Sequence, residues 1–246
     1  MKAKKQIFEN ETAPTAGIRI NKYLADAGVC SRREADKAVE NGLVMINGQK
    51  AVAGSRVEKG DEVTYKGKSI SRIDDLVLIA FNKPIGIVCT TDKRDPDNII
   101  DYISHEKRIF PIGRLDKDSE GLILLTNDGD IVNKILRSSN HHEKEYIVKV
   151  NKDITPEFLQ NMAAGVPILD TVTLPCKLSQ IDRTTFSIIL TQGLNRQIRR
   201  MCEALGYRVR SLQRVRIMNI RLGRLKSGTY RNLTPQELDE LKNQLD

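Results

Sequence analysis

Two short, uninterrupted apolar runs constrain the fold of this chain more than any other feature. Leu76-Val77-Leu78-Ile79-Ala80-Phe81 leads into Asn82-Lys83-Pro84, and Leu122-Ile123-Leu124-Leu125 stops at Asn127-Asp128-Gly129. Runs this apolar, bounded by turn residues, read as strands buried in a core. Pro84 ends the first and Gly86 completes a turn. Between them lies the polar run Gly113-Arg114-Leu115-Asp116-Lys117-Asp118-Ser119-Glu120-Gly121-Leu122. If this run is extended, Arg114 and Asp116 project to one face. That face offers a cation for phosphate beside a carboxylate capable of covalent chemistry. The plainer alternative is a carboxylate that bonds local backbone in a turn, helped by Asp118 and Ser119.

The segments that follow mix strands with occasional helices. Lys144, Tyr146, Val148 and Val150 alternate with Glu145, Ile147 and Lys149, a strand pattern. Asp130 is expected to cap a helix running through about Arg137. Ile198, Met201, Cys202 and Leu205 make a helical apolar stripe stopped by Gly206, with Arg196, Arg199, Arg200 and Glu203 on the opposite face. Strands are expected between Val209 and Ile220, and Thr234-Pro235-Gln236-Glu237 starts a final helix. This pattern predicts an α+β domain rather than a doubly wound one.

A smaller unit precedes it. Leu24 and Ala27 keep helical spacing from Ile20, Asn21 and Tyr23 up to Gly28, and Ser31-Arg32-Arg33-Glu34 is a capping-box pattern before Ala35, Ala38 and Val39, with Gly42 as the stop. Val44-Met45-Ile46, Asn47-Gly48 and a strand near Ala51-Val52 read as a hairpin, and a further strand follows near Glu62 to Tyr65. Arg32 and Arg33 at a helix N-terminus, with Lys22 nearby, suit a phosphate backbone; a solvated helix face is the equal alternative. The expected organisation is a disordered tail over residues 1–16, a compact module over 17–66, a linker over 67–75 and a larger domain over 76–246.

The formal net charge is +8, which favours a polyanionic partner, nucleic acid first. From Gly193 to Arg231 there are ten Arg and one Lys against a single acid, Glu203, and Arg suits bidentate phosphate recognition. The four cysteines are far apart and lack a Cys-x-x-Cys pair, so free thiols in a reducing compartment are expected. With no long apolar run and no apolar core in the N-terminal segment, the expectation is a cytoplasmic protein away from membranes.

The common catalytic signatures are missing: no phosphate-cradling glycine loop, no Gly-x-Ser-x-Gly and no metal-spaced His pair. His141 and His142 are adjacent and best placed in a solvated loop, and His105 stands alone. Chemistry is left to carboxylates, Arg and Tyr. Residues Arg19 to Gln49 resemble an S4 RNA-binding domain in their order of elements, implying recognition of structured RNA by shape and backbone contacts. The larger unit resembles the RsuA-like branch of the RNA pseudouridine synthases. The match rests on Asn82-Lys83-Pro84-x-Gly86, on the run from Gly113 to Gly129, on Glu143 to Tyr146, and on Gly193 to Met201. Within that branch, Gly165 to Leu169 and Gly193 to Tyr207 are most similar to members that modify large-subunit rRNA near the peptidyl transferase centre.

The resemblance implies a catalytic domain on a mixed, mainly antiparallel sheet. It makes Asp116 the catalytic carboxylate and Arg199 its ion-pair partner. Tyr146 would lie against a flipped-out uracil, and Leu212 would pack the apolar side of the pocket. Arg114 would contact backbone near the target, and Arg196, Arg200 and Arg214 are further candidate RNA contacts. Lys83 and Pro84 are expected to be scaffold. The implied reaction converts uridine to pseudouridine after the base leaves its stack. It needs no cofactor or metal, because the product keeps every atom of the substrate. The expected partner is rRNA, with a tRNA anticodon loop or small-subunit rRNA as other targets, and the protein is expected to act as a monomer. The rival readings are a non-catalytic RNA-binding or ribosome-assembly protein and a methyltransferase, the latter disfavoured by the missing glycine loop.

Overall fold

The computed structural model describes residues 17–71, 75–136 and 141–245. The tail expected over residues 1–16 lies outside them. The chain divides into two units, one formed mainly by residues up to Val77 and one by most of the rest.

In the first unit, β1 (Ile18–Arg19) leads into α1 (Ile20–Asp26) and α2 (Arg32–Glu40). Ser31 and Glu34 close a full capping box on α2, as their spacing predicts. Strands β2 (Val44–Ile46), β3 (Gln49–Lys50), β4 (Arg56–Val57), β5 (Val63–Tyr65) and β6 (Lys68–Ile70) follow. The sheet runs β3-β2-β5-β6, and β4 pairs with β1 instead. The apolar faces of α1 and α2 close over it, burying Leu24, Ala35, Val44 and Val63. Two expectations shift. The hairpin partner strand is Gln49–Lys50 rather than Ala51-Val52, because Asn47-Gly48 makes a tight turn with both residues at positive φ. The segment expected as a linker opens with a strand: Lys66-Gly67 forms another such turn and folds β6 back on β5.

The second unit contains β7 (Leu78–Lys83), α3 (Ile99–Ile103), β8 (Phe110–Ile112), β9 (Glu120–Thr126), α4 (Gly129–Leu136), β10 (Lys144–Val150), α5 (Pro156–Ala164), β11 (Pro167–Ile168), β12 (Thr171–Val172), β13 (Lys177–Gln180), β14 (Thr185–Leu190), α6 (Gln197–Ala204), β15 (Val209–Ile217), β16 (Ile220–Arg221), β17 (Tyr230–Asn232) and α7 (Pro235–Leu245). Its main sheet runs β13-β14-β10-β15-β9-β7-β17, with β8 on β9 and β16 on β15; β11 and β12 form a separate hairpin. Among the described residues, every pairing between these named strands is antiparallel except β15 with β9. The sheet is therefore mixed and mainly antiparallel, as expected. The two apolar runs are interior strands of it: β7 is buried throughout and β9 from Gly121 onward. Asp130 proves to lie in the first turn of α4 rather than before it, where its charge still suits the helix N-terminus. The C-terminal strand region is one continuous nine-residue strand, β15, with only a short return in β16.

Gly121 makes the parallel junction possible. Its φ is +101°, and a Cβ there would lie 2.3 Å from the carbonyl oxygen of Arg214. Only glycine lets β9 approach β15 so closely. That approach brings the loop carrying Asp116 beside the strand carrying Leu212 and Arg214.

Candidate active site

The loop between β8 and β9 is held from several sides. Ser119 N donates to Asp116 O at 3.1 Å, so the predicted turn is present. Leu115 N donates to Cys89 Sγ, and Gly86 N donates to Lys117 O at 2.8 Å, tying the Asn82–Gly86 motif to this loop. Lys83 closes that motif. It is fully buried, and its Nζ donates to Pro84 O and Ile87 O at 2.8 Å each. Burial pulls its pKa below the ordinary lysine value. Lys83→Met leaves both carbonyls short of a donor and is expected to cost about 1–3 kcal/mol of stability, read by urea denaturation. An unchanged midpoint would remove this scaffold role.

A cavity of about 600 Å³ opens above the turn, lined among others by Arg114, Asp116, Tyr146, Arg196, Leu212 and Arg214. Among the described residues, no hydrogen bond reaches the Asp116 carboxylate. Its nearest cation is Arg196, with Nη1 3.8 Å from Oδ2. The predicted Asp116–Arg199 pair is therefore not formed. Arg199 donates instead to Asp118 O at 2.8 Å and Ser119 Oγ at 3.2 Å, with Nε 3.4 Å from Asp118 Oδ2. Arg196 grips Asp118 with both arms of its guanidinium, at 3.0 and 2.8 Å. The physical reason is competition: Asp118 offers a bidentate fit and takes both guanidinium groups, leaving Asp116 with one distant cation. The Arg196 hydrogen bonds hold the Asp118 carboxyl below its usual range. This contribution to stability is present at neutral pH and fades as acid takes the pH below that range.

Tyr146 and Leu212 both reach the cavity from neighbouring strands, Val148 pairing with Leu212 and Tyr146 with Arg214, next to a bulge between Glu145 and Tyr146. Leu212 is buried, whereas Tyr146 is half-buried against the apolar cluster behind it. The candidate RNA contacts fare unevenly. Arg32 and Arg33 are exposed at the start of α2, and Arg114 is exposed at the cavity rim. Lys22 is paired with Asp26 at 2.8 Å, one turn along its helix, so it is not the open cation expected. Arg200 folds back on Asn195. Arg214 is only 3% exposed, a cavity-wall residue rather than a surface contact. The Arg excess after Gly193 is also partly neutralised, since Arg216 pairs with Glu143 and Glu145, and Arg231 with Glu237.

Sequence reading missed Lys144 and His142. Both line the cavity, and His142 is half-buried rather than loose in a loop, with Nδ1 3.0 Å from Ile135 O. The signal for Lys144 was available, because it shares a strand face with Tyr146.

A carboxylate without hydrogen bonds among the described residues, in a cavity rimmed by cations, is a site suited to chemistry on a polyanion. Comparison with known proteins narrows this. Residues 77–204 match the family model described as RNA pseudouridylate synthase, and residues 18–63 match the S4 domain. The chain is 56% identical over 230 residues to the dual-specificity RNA pseudouridine synthase RluF of Escherichia coli K12, covering 93% of this chain and 79% of that protein. It is 34% identical over 234 residues to the ribosomal large subunit pseudouridine synthase B of Bacillus subtilis, covering 91% and 95%. A crystal structure of a pseudouridylate synthase superposes with a TM-score of 0.67 at 29% identity, covering 92% of this chain and all of that one. The chain belongs to the RNA pseudouridine synthase family, in the RsuA-type branch that carries an S4 domain, and is an isomerase. Among the described residues, no helix is long and apolar enough to cross a membrane.

Proposed function

We propose that this chain isomerises uridine to pseudouridine in ribosomal RNA, with large-subunit rRNA near the peptidyl transferase centre as its target and Asp116 as the catalytic carboxylate. The observation that carries this reading is the Asp116 carboxylate itself, unbonded among the described residues and facing a cavity walled by Tyr146 and Leu212. A carboxylate meant to hold a turn would be consumed by that turn; here the Asp116 backbone carbonyl does that work. Tyr146 supplies a flat face for the uracil, and Leu212 keeps water from the reacting sugar carbon. Arg114 contacts the RNA backbone at the rim. Arg196 holds the turn through Asp118 and stays within electrostatic reach of Asp116. Arg199 supports the loop from behind rather than pairing with Asp116. The large-subunit target is supported by the name of the Bacillus subtilis relative, and its placement near the peptidyl transferase centre by the motif resemblance at Gly165 to Leu169 and Gly193 to Tyr207.

The test uses rRNA tritiated at uridine C5, with no added cofactor. Tritium is expected to appear in water as C5 forms its bond to C1′, and mapping the product should place it in large-subunit rRNA. Release only from tRNA or small-subunit rRNA would overturn the target. No release from any RNA would favour a binding protein.

The S4 module is read as a backbone grip centred on Arg32 and Arg33. The double variant Arg32→Glu, Arg33→Glu is expected to weaken RNA binding and to flatten the plot of log affinity against log salt. The slope should fall by about 0.7–0.9 for each phosphate that the variant no longer neutralises. A slope that does not change would take both residues out of the interface.

A further inference from the structure

The cavity holds more positive charge than the Asp116 carboxylate balances. Arg214 and Lys144 both line it, and neither has a carboxylate within ion-pair distance among the described residues. Arg214 Nε donates to Leu122 O at 2.7 Å, and Nη1 makes only a 3.5 Å contact to Arg114 O. Its Nη2 is buried and has no partner among the described residues. Lys144 Nζ reaches one carbonyl, His142 O, at 3.4 Å.

A buried guanidinium with no counter-ion and an unused donor is costly, and an apolar side chain of the same shape would be more stable there. The expense is explained if a ligand brings the missing negative charge. Depth identifies which part of the RNA does so. Arg114, exposed at the rim, is where a hydrated phosphate can stay. Arg214, at 3% exposure and directly across the strand pair from Tyr146, lies deep in the cavity wall, beside what enters the cavity, the base.

We propose that Arg214 and Lys144 form a subsite for the uracil carbonyl oxygens and stabilise the charge of the detached ring. When the N1–C1′ bond breaks, the bonding pair stays on the uracil and spreads from N1 onto O2 and O4. After the ring turns, C5 bonds to C1′, the C5 proton leaves, and N1 takes up a proton, so the atoms balance. Donors placed beside those oxygens act on this charge where it develops.

This proposal rests on the cavity being the site of isomerisation, so wild-type activity is the control. If the wild-type protein releases no tritium, that reading fails. If it does, the subsite is tested by Arg214→Lys, Arg214→Gln and Lys144→Met, with RNA affinity measured separately from the single-turnover rate at saturating protein. Affinity should stay within a few-fold of wild type. The single-turnover rate should fall by about 100-fold or more in Arg214→Gln, as for loss of one oxyanion donor, and by less in Arg214→Lys. Lys144→Met keeps the buried stem, so it reads the same wall if Arg214→Gln does not fold. Wild-type rates in Arg214→Lys and Lys144→Met, or losses that saturation abolishes, would overturn the proposal.

Discussion

Asp116→Asn is expected to yield a folded protein that binds RNA and releases no tritium. The substitution keeps the shape of the side chain, and no hydrogen bond among the described residues depends on the carboxylate. The turn around it survives, because it is made by the Asp116 backbone carbonyl and Ser119 N. Stability should therefore change little. RNA affinity should hold or rise slightly, since a negative charge is removed from a cavity rimmed by cations. Turnover should fall by at least about 10,000-fold, the scale on which losing a nucleophile is felt. Asp118→Asn is the informative contrast. Asp118 holds Arg196 in a fork and lies 3.4 Å from Arg199, so its loss should loosen the loop and lower the melting temperature while leaving measurable turnover. Equal tritium release from Asp116→Asn and wild type would end the assignment of Asp116. Complete inactivity of a folded Asp118→Asn with full activity in Asp116→Asn would move the chemistry two residues along the chain.

That contrast also shows what could be read in the sequence. The buried strands β7 and β9 were legible because short apolar segments with turn residues behind them have few alternatives. The capping box on α2 and the tight Asn47-Gly48 turn were legible for a similar reason, since each is satisfied within four residues. The partner of Asp116 was not legible. Asp116 and Asp118 lie two residues apart, and Arg196 and Arg199 lie three apart at the start of α6, so each carboxylate has two geometrically reasonable cations. Which pair forms depends on the pitch of the helix relative to the loop, a distance over 78 residues that no local pattern encodes. Arg214 failed for another reason. An Arg in a basic strand reads as surface, and only the three-dimensional fold reveals that its neighbours in β15 alternate into a cavity wall.

The second large effect is expected at Gly121, which sits in the same run as Asp116 but acts through the backbone. In Gly121→Val, the new Cβ would meet Arg214 O at 2.3 Å, Arg214 N at 2.8 Å and Gln213 Cγ at 2.9 Å. Two of those atoms are backbone in the adjacent strand and cannot swing aside. The residue must also hold φ near +101°, which costs a side-chain-bearing residue about 1–3 kcal/mol. Overpacking adds about 1–3 kcal/mol more. The junction is short, two residue pairs in register, so separation there is the easiest relief. Separating β9 from β15 moves Asp116 away from Leu212 and Arg214 together. A displacement of about 1 Å at reacting groups is enough to cost about 100-fold in rate. Gly121→Val should therefore lose both stability, by urea denaturation, and turnover, by tritium release measured where the variant is still folded. Gly86→Val supplies the control: its φ is +94°, but a Cβ there meets nothing within 4 Å, so it carries the backbone strain without the clash. If both variants lose the same stability and rate, close approach at the β9–β15 junction is not what holds the site together.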